Sequence, residues 1–302
     1  MEIKNLYTFK TIIEEGSFSN AANKLGYTQS TITFQVKQLE AELDMKLFEK
    51  IGRRMLLTKT GEAILPYVNE TINAYEKMQN AGKELSEVKG ELSIIISETI
   101  LCYCMKNVIR EFHEAVPGVQ LKLRTMDCHS TRQQLIDGNA DIGICYDEEE
   151  NDDRLNIFSL GPCHMCLVGS SGLVARLGAH QLDFTKSNTT IPVSLITDEP
   201  SGIFRRKFER YVLSNKIIMD NTIELWSTET IKSMIASDLG VGYLPAFVVQ
   251  NEIKNGTFIA LKHKIPNENF RCIYACHKNK HISPQMQYFM NLLEKYVRTD
   301  KI

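Results

Sequence analysis

The chain has 302 residues, 43% of them hydrophobic, which is enough apolar material for two or three domains with cores of their own. No apolar run approaches the length of a bilayer span, and the opening MEIKNLYTFK lacks the apolar stretch of a signal peptide, so a membrane partner is not expected and a cytoplasmic location is. A net charge of −2 gives no whole-chain signature of a nucleic-acid binder, although residues 50–61 (KIGRRMLLTKTG) hold four basic residues and no acidic one.

In the first sixty residues Leu6, Phe9, Ile12 and Ile13 form one helical stripe. Ser19 reads as the N-cap of a second helix that buries Ala21, Ala22 and Leu25 and stops at Gly26. Thr28 caps a third, with Ile32, Val36 and Leu39 as its buried stripe. Small Ala22 lets two helices cross closely and Gly26 allows the corner between them, which is helix-turn-helix grammar. LFEKIGRRMLLTKTG then gives two short apolar pieces around a basic turn, the pattern of a β-wing. From Gly61 to about Lys89 a long helix carries Ile64, Val68, Ile72, Tyr75, Met78, Gly82 and Leu85 on one stripe at near-heptad spacing. That stripe suits a partner helix; packing on its own domain is the alternative.

After Gly90 the pattern changes. ELSIIIS, VQLKLRTMD, ADIGICY, HMCLVG, IPVSLI, IELWS and VGYLP read as strands. Helices run through VIREFHEAVPG, STRQQLIDGN, FRRKFERYVLSN, TETIKSMIASDLG and, last, SPQMQYFMNLLEKYV. The alternation argues for an α/β architecture with largely parallel sheets. The acidic run at 147–153 reads as a solvated loop.

The stretch GSFSNAANKLGYTQSTITFQVKQLEAELDMKLFEKIGRRMLLTKTGEAIL resembles the N-terminal winged helix-turn-helix of the LysR-type transcriptional regulators. LIDGNADIGIC, EPSGIFRRKFE and STETIKSMIASDLGVGYLP follow in the family's order, so the resemblance covers essentially the whole chain. It implies an N-terminal all-α winged helix-turn-helix over 1–60 and a long linker helix over 61–89 that forms a homodimer. It further implies a C-terminal α/β effector domain over 90–302, built as two Rossmann-like, periplasmic-binding-protein-like halves. Half I would take about 90–161 plus 268–302 and half II about 162–267, with a small-molecule effector between them. Family precedent adds a homotetramer through the effector domains.

In this motif the start of the second helix enters the major groove of double-stranded promoter or operator DNA. Gln29 can pair two-pronged with an adenine edge, and Ser30, Thr31 and Thr33 can bond bases or phosphates. Lys37 lies further along the same helix. Ser30 stands where the family commonly has proline, and Phe34 where arginine often sits. Phe34 either touches thymine methyls or the sugar edge, or is partly buried. Arg53 and Arg54 in the wing suit phosphates or a narrow minor groove.

A ligand of an α/β sheet sits beyond the C-terminal strand ends, where helices begin. Ser97 with Thr99, Ser130 with Thr131, and Ser201 with Gly202 mark three such junctions, and Ser227 with Thr228 a fourth. Free N–H groups at helix starts favour an anionic metabolite. Glu98, beside Ser97, either binds an amine or cation or faces solvent.

The eight cysteines read as small buried hydrophobes. CHMC (163–166) has metal-like spacing, but it falls in a strand and lacks a second ligand pair. Thiol-redox or metal sensing is the alternative within the family, and a cysteine-dependent enzyme the alternative outside it. No Lys-Ser/Thr glycine loop, HExxH or G-x-S-x-G is present. The expectation is a DNA-binding regulator with no catalytic residues, no metal ligands and no cofactor.

Overall fold

The structure is a computed structural model that describes every residue except 52, 53, 81, 83, 148–151, 199, 267–269 and 299–302, and the side chains of Lys50, Ile51, Arg54 and Lys77. The chain divides into two compact units, Met1–Gly90 with Asp137–Asn139, and Glu91–Ile136 with Ala140–Ile302.

In the first unit α1 (Ile3–Glu15), α2 (Phe18–Leu25) and α3 (Gln29–Leu43) close on a core of Leu6, Phe9, Ile32, Val36 and Leu39. Ser17, not Ser19, caps α2: its Oγ accepts the Asn20 N–H at 3.0 Å. Phe18 already belongs to the helix and meets Phe48 edge-on at 5.2 Å, which sets the cap one residue before it. Gly26 ends α2 at φ 67°, a left-handed conformation that a Cβ would strain. Thr28 then caps α3 by accepting the Thr31 N–H at 3.2 Å.

β1 (Phe48–Ile51) and β2 (Arg54–Leu57) pair antiparallel as the wing, so this unit is not all-α. Glu40 on α3 holds the wing's entry, accepting the Leu47 N–H at 2.8 Å and the Lys46 ammonium at 3.0 Å. Burial opposes the Glu40 charge, but these donors outweigh it and hold the carboxyl below its usual range.

α4 runs from Lys59 to Asn80, starting before Gly61 and stopping well short of Lys89. Asn80 explains the stop: its side-chain amide folds back, donating to the Lys89 carbonyl at 2.7 Å and accepting the Lys89 N–H at 3.2 Å. Gly82 and Leu85 therefore leave the expected stripe, and Leu85–Glu87 forms a turn of 3₁₀ helix. The upper part of that stripe also turns inward. Val68 and Ile72 are buried in this unit's own core, with Ile64 against it. Met78, from the lower part of the stripe, is 71% exposed, and with Tyr67, 68% exposed, it marks an outward face.

The second unit alternates strands and helices. Its elements begin β3 (Gly90–Ile96), α5 (Glu98–Cys104), α6 (Lys106–Ala115), β4 (Val119–Thr125), α7 (Cys128–Ile136), β5 (Ile142–Asp147) and β6 (Leu155–Pro162). They continue β7 (Met165–Ser170), α8 (Ser171–Leu177), β8 (Thr189–Ile191), β9 (Ser194–Thr197), α9 (Ile203–Ser214), β10 (Ile217–Met219) and β11 (Thr222–Glu224). Last come α10 (Thr228–Ala236), β12 (Gly240–Pro245), α11 (Ala246–Lys254), β13 (Phe258–Ala260), β14 (Arg271–His277) and α12 (Pro284–Tyr296).

Two five-stranded sheets result, ordered β4-β3-β5-β14-β6 and β11-β9-β12-β7-β13. They are mixed rather than largely parallel. β14 returns between β5 and β6 and is antiparallel to both, and β7 is antiparallel to β12 and β13. The central strands β5 and β12 are buried along their whole length, as expected where helices cover both faces. α12 closes on α6 through Phe289 and Phe112, 5.3 Å apart and edge-on.

Candidate functional site

Two places gather functional side chains, one in each unit. The first is the head of α3. Its inner face, Ile32, Gln35, Val36 and Leu39, is buried, and Gln35 is fixed by the Thr8 hydroxyl at 2.6 Å. Gln29, Ser30, Phe34 and Lys37 are exposed, while Thr31 and Thr33 are half-buried. Phe34 is 67% exposed, which decides against the buried alternative. The hydroxyls are engaged within the helix start: Thr28 Oγ1 meets Ser30 Oγ at 2.8 Å and Thr31 Oγ1 at 2.9 Å, and Thr33 donates to the Gln29 carbonyl at 2.8 Å. Arg53 lies outside the described residues. Arg54 opens β2, but its side chain is not described.

The second place is a cavity of about 460 Å³ in the second unit, walled by residues of both five-stranded sheets and the helix starts beyond them. Ser97, Thr99, Ser130, Gly202 and Thr228 all line it. Ser97 Oγ approaches Cys128 Sγ at 3.9 Å, and Thr99 shares a 2.5 Å hydrogen bond with the Tyr146 hydroxyl. Thr131 does not reach the cavity. It is fully buried, its hydroxyl donates to the Asp127 carbonyl at 2.8 Å, and its methyl packs where any Cβ on Gly143 would collide. Ser201 is exposed outside the lining.

The helix starts that the sequence offers to an anion already hold carboxylates. Asp127 Oδ1 accepts the N–H groups of His129 and Ser130 at 2.9 and 3.0 Å, closing the start of α7. Burial opposes its charge, but the Ser130 and backbone donors prevail and keep the carboxyl below its usual range. Glu98 reaches across to α10, accepting the Thr228 N–H at 3.0 Å and the Thr228 hydroxyl at 2.5 Å. Asp198 lies so close to Gly202, before α9, that a Cβ there would meet its carboxylate at 2.6 Å. Burial pushes the Asp198 carboxyl above its usual range, although the Thr197 hydroxyl donates to it at 3.2 Å. These carboxylates reduce the positive field that the starts of α7 and α10 offer to an anionic effector.

Similarity to known proteins decides the family. Residues 3–62 match the model of the bacterial regulatory helix-turn-helix protein, lysR family, and residues 86–298 match that of the LysR substrate binding domain. The uncharacterised HTH-type transcriptional regulator YfiE of Escherichia coli (strain K12) is 38% identical over 295 residues, covering 98% of each chain. This chain belongs to the LysR family of transcriptional regulators. Among solved structures, ArgP from Mycobacterium tuberculosis superposes with a TM-score of 0.71 at 19% identity, over 96% of this chain and 95% of that one. Full-length CbnR complexed with its target DNA gives 0.60 at 17%, over 98% and 99%. The LysR-type chain is thus a regulator with an effector-binding domain, not an enzyme.

Sequence reasoning missed the residues that set the cavity's character in this LysR-type protein: Asp127, Asp198, Tyr146, Phe204, Trp226 and Tyr243. Asp127 had a local signal, since aspartate directly before a helix is a preferred cap. The cysteines divide. Cys163 and Cys272 hydrogen-bond in the interior, and burial pushes the Cys104 thiol up to about 12. Cys128 lines the cavity, where a hydrogen bond from Cys145 brings its thiol below the usual value. Among the described residues no three of His, Cys, Asp and Glu are grouped to hold a metal ion.

Proposed function

We propose that this LysR-type regulator reads promoter or operator DNA in the major groove with the head of α3, and that a small molecule in the cavity of the second unit controls it. The observation that carries the DNA reading is the division of α3. One face is locked into the core, while Gln29, Phe34 and Lys37 stand exposed, their side chains making no hydrogen bond or ion pair among the described residues. Gln29 and Phe34 would read bases; Ser30, Thr31, Thr33, Lys37 and the wing arginines 53 and 54 would anchor phosphates. The CbnR structure, solved on its target DNA, supports the same use of the motif.

On this reading residues 1–60 are the DNA-binding domain, 61–89 the linker and 90–302 the effector domain in two halves, acting in the cytoplasm. The homodimer forms along α4 on the outward face Tyr67, Thr71, Ala74 and Met78, which keeps Met78 of the stripe read from sequence but not Ile64, Val68 and Ile72, because those serve the unit's own core. A homotetramer would add contacts between effector domains.

Fluorescence anisotropy with a DNA fragment selected by the full-length protein tests the proposal. Gln29→Ala should weaken the selected fragment and leave random DNA unchanged. Equal weakening on both would overturn the assignment of α3. A thiol-redox or metal-sensing regulator is the second reading, favoured by the Cys128–Cys145 contact in the cavity wall. It predicts that Cys128→Ser abolishes an oxidant response that metabolites do not reproduce.

A further inference from the structure

The cavity has one sign of charge. Glu98, Asp127 and Asp198 all line it, and among the described residues no lysine, arginine or histidine does. Each carboxylate sits at a helix start that would otherwise attract an anion, so the positive ends of α7, α9 and α10 are already screened from a ligand. Among the described residues Asp198 forms no ion pair with a side chain: Arg205 bonds its backbone carbonyl at 2.8 Å, and spends its guanidinium on Glu224 and Glu209. Four aromatic residues, Tyr146, Phe204, Trp226 and Tyr243, also line the cavity. Ring faces attract cations and repel carboxylates.

Tyr243 adds its ring to this wall, while its hydroxyl is buried away from the open volume and makes no hydrogen bond among the described residues. A metal ion does not fit, because the three carboxylates do not converge into a chelating group among the described residues. The volume instead suits a small organic molecule.

We propose that the effector of this cavity is a small organic cation carrying a protonated or quaternary amine, held by Asp198 and the aromatic side chains of the wall. The inference rests on the reading of the cavity as the effector site. Glu98 and Asp127 already accept two hydrogen bonds each, from Thr228 and from the start of α7, and so serve mainly as field. Asp198, which accepts from the Thr197 hydroxyl, has the most capacity left for an ammonium.

Isothermal calorimetry and thermal shift on the full-length protein, with 1,4-diaminobutane, choline, succinate, benzoate and zinc chloride as separate probes, test it. At least one amine should bind and raise the melting temperature, with affinity falling at least tenfold in Asp198→Asn, while succinate and benzoate do not bind. Asp198→Asn is nearly isosteric, and its own melting curve checks the fold. Ser130→Trp, which fills the cavity, should abolish amine binding too. Anion or zinc binding without amine binding, amine binding indifferent to Asp198→Asn, or no binding by any probe overturns the cationic effector. Anion binding that Ser130→Trp blocks would leave the cavity standing as the effector site. Probe binding indifferent to Ser130→Trp would bring down the cavity reading as well.

Discussion

The head of α3 and the helix starts around the cavity are written in the same letters, serine and threonine at the first turn, and they end in opposite states. At α3 the hydroxyls bond one another and the first turn, leaving Gln29, Phe34 and Lys37 facing water. Around the cavity, carboxylates from Asp127 and Glu98 take up the free N–H groups, and Thr131 turns away into its own helix. A helix N-terminus is therefore not a vacancy until its surroundings are known. The first site faces a partner outside the chain; the second has closed its backbone from within and leaves only side-chain charge for a ligand.

The largest effect should come from testing inward against outward on α4. Ile72→Ala removes a side chain 1% exposed in the first unit's core and should cost about 2–5 kcal/mol, read as a lower midpoint in urea. Met78→Ala, at a position 71% exposed, should leave stability within about 0.5 kcal/mol and weaken self-association in sedimentation equilibrium. The reverse pattern would mean that α4 pairs through the Ile64, Val68 and Ile72 part of the stripe read from sequence. Next, Glu98→Ala strips the acceptor from the Thr228 N–H and hydroxyl and should destabilise the second unit by about 1–3 kcal/mol. No change in its thermal midpoint would show that water replaces Glu98 there, reopening the start of α10 to an anion.

Gln29→Ala is the counterpart outside. It should lose about 1–3 kcal/mol of discrimination at one base position, with the melting temperature unchanged, since the exposed side chain bonds nothing among the described residues. A drop in melting temperature equal to that of Glu98→Ala would erase the contrast between the two sites. Glu40 offers a pH test in the first unit. Its folded carboxyl lies below the usual range, so its stabilisation is present above the unfolded pKa and lost as pH falls through the lower folded value. Glu40→Gln should cost on the order of 1 kcal/mol at neutral pH, with the gap to wild type closing in acid. A gap that stayed constant down to acid unfolding would show that the Leu47 contact does not depend on charge.

What the sequence made legible follows distance along the chain. Thr28 as a cap, Gly26 as a corner and the Ile32, Val36, Leu39 stripe are local, and all three stand in the structure. The end of α4 was misread because Asn80 bonds Lys89, beyond the helix it terminates. β14 was missed as a strand between β5 and β6, and with it the mixed sheet, since its partners lie far back in the chain. The contact that matters most for the cavity, Glu98 with Thr228, joins residues 130 apart, and no periodicity encodes it. Choosing between neighbouring hydroxyls also failed at one turn. Ser130 and Thr131 look equivalent in sequence, but Thr131 lies on the buried side of α7.

That last pair gives the smallest and most discriminating prediction. The Thr131 hydroxyl spends its proton on the Asp127 carbonyl, and the Cγ2 methyl fills space over Gly143. Thr131→Val keeps the branched shape and the methyl while deleting one hydrogen bond inside the helix. The Asp127 carbonyl keeps the Thr131 N–H, at 2.9 Å, so no buried acceptor is orphaned. The loss should sit at the low end for a hydrogen bond, about 0.5–1 kcal/mol of stability, and ligand affinity should be unchanged. Ser130→Ala should do the converse. Ser130 lines the cavity and its side chain helps hold Asp127 ionised, so ligand affinity should move while stability barely does. Calorimetric titration and urea midpoints on both variants separate the two roles. Thr131→Val weakening the ligand with Ser130→Ala silent would put the cavity on the other side of α7, contrary to the burial that divides these adjacent hydroxyls.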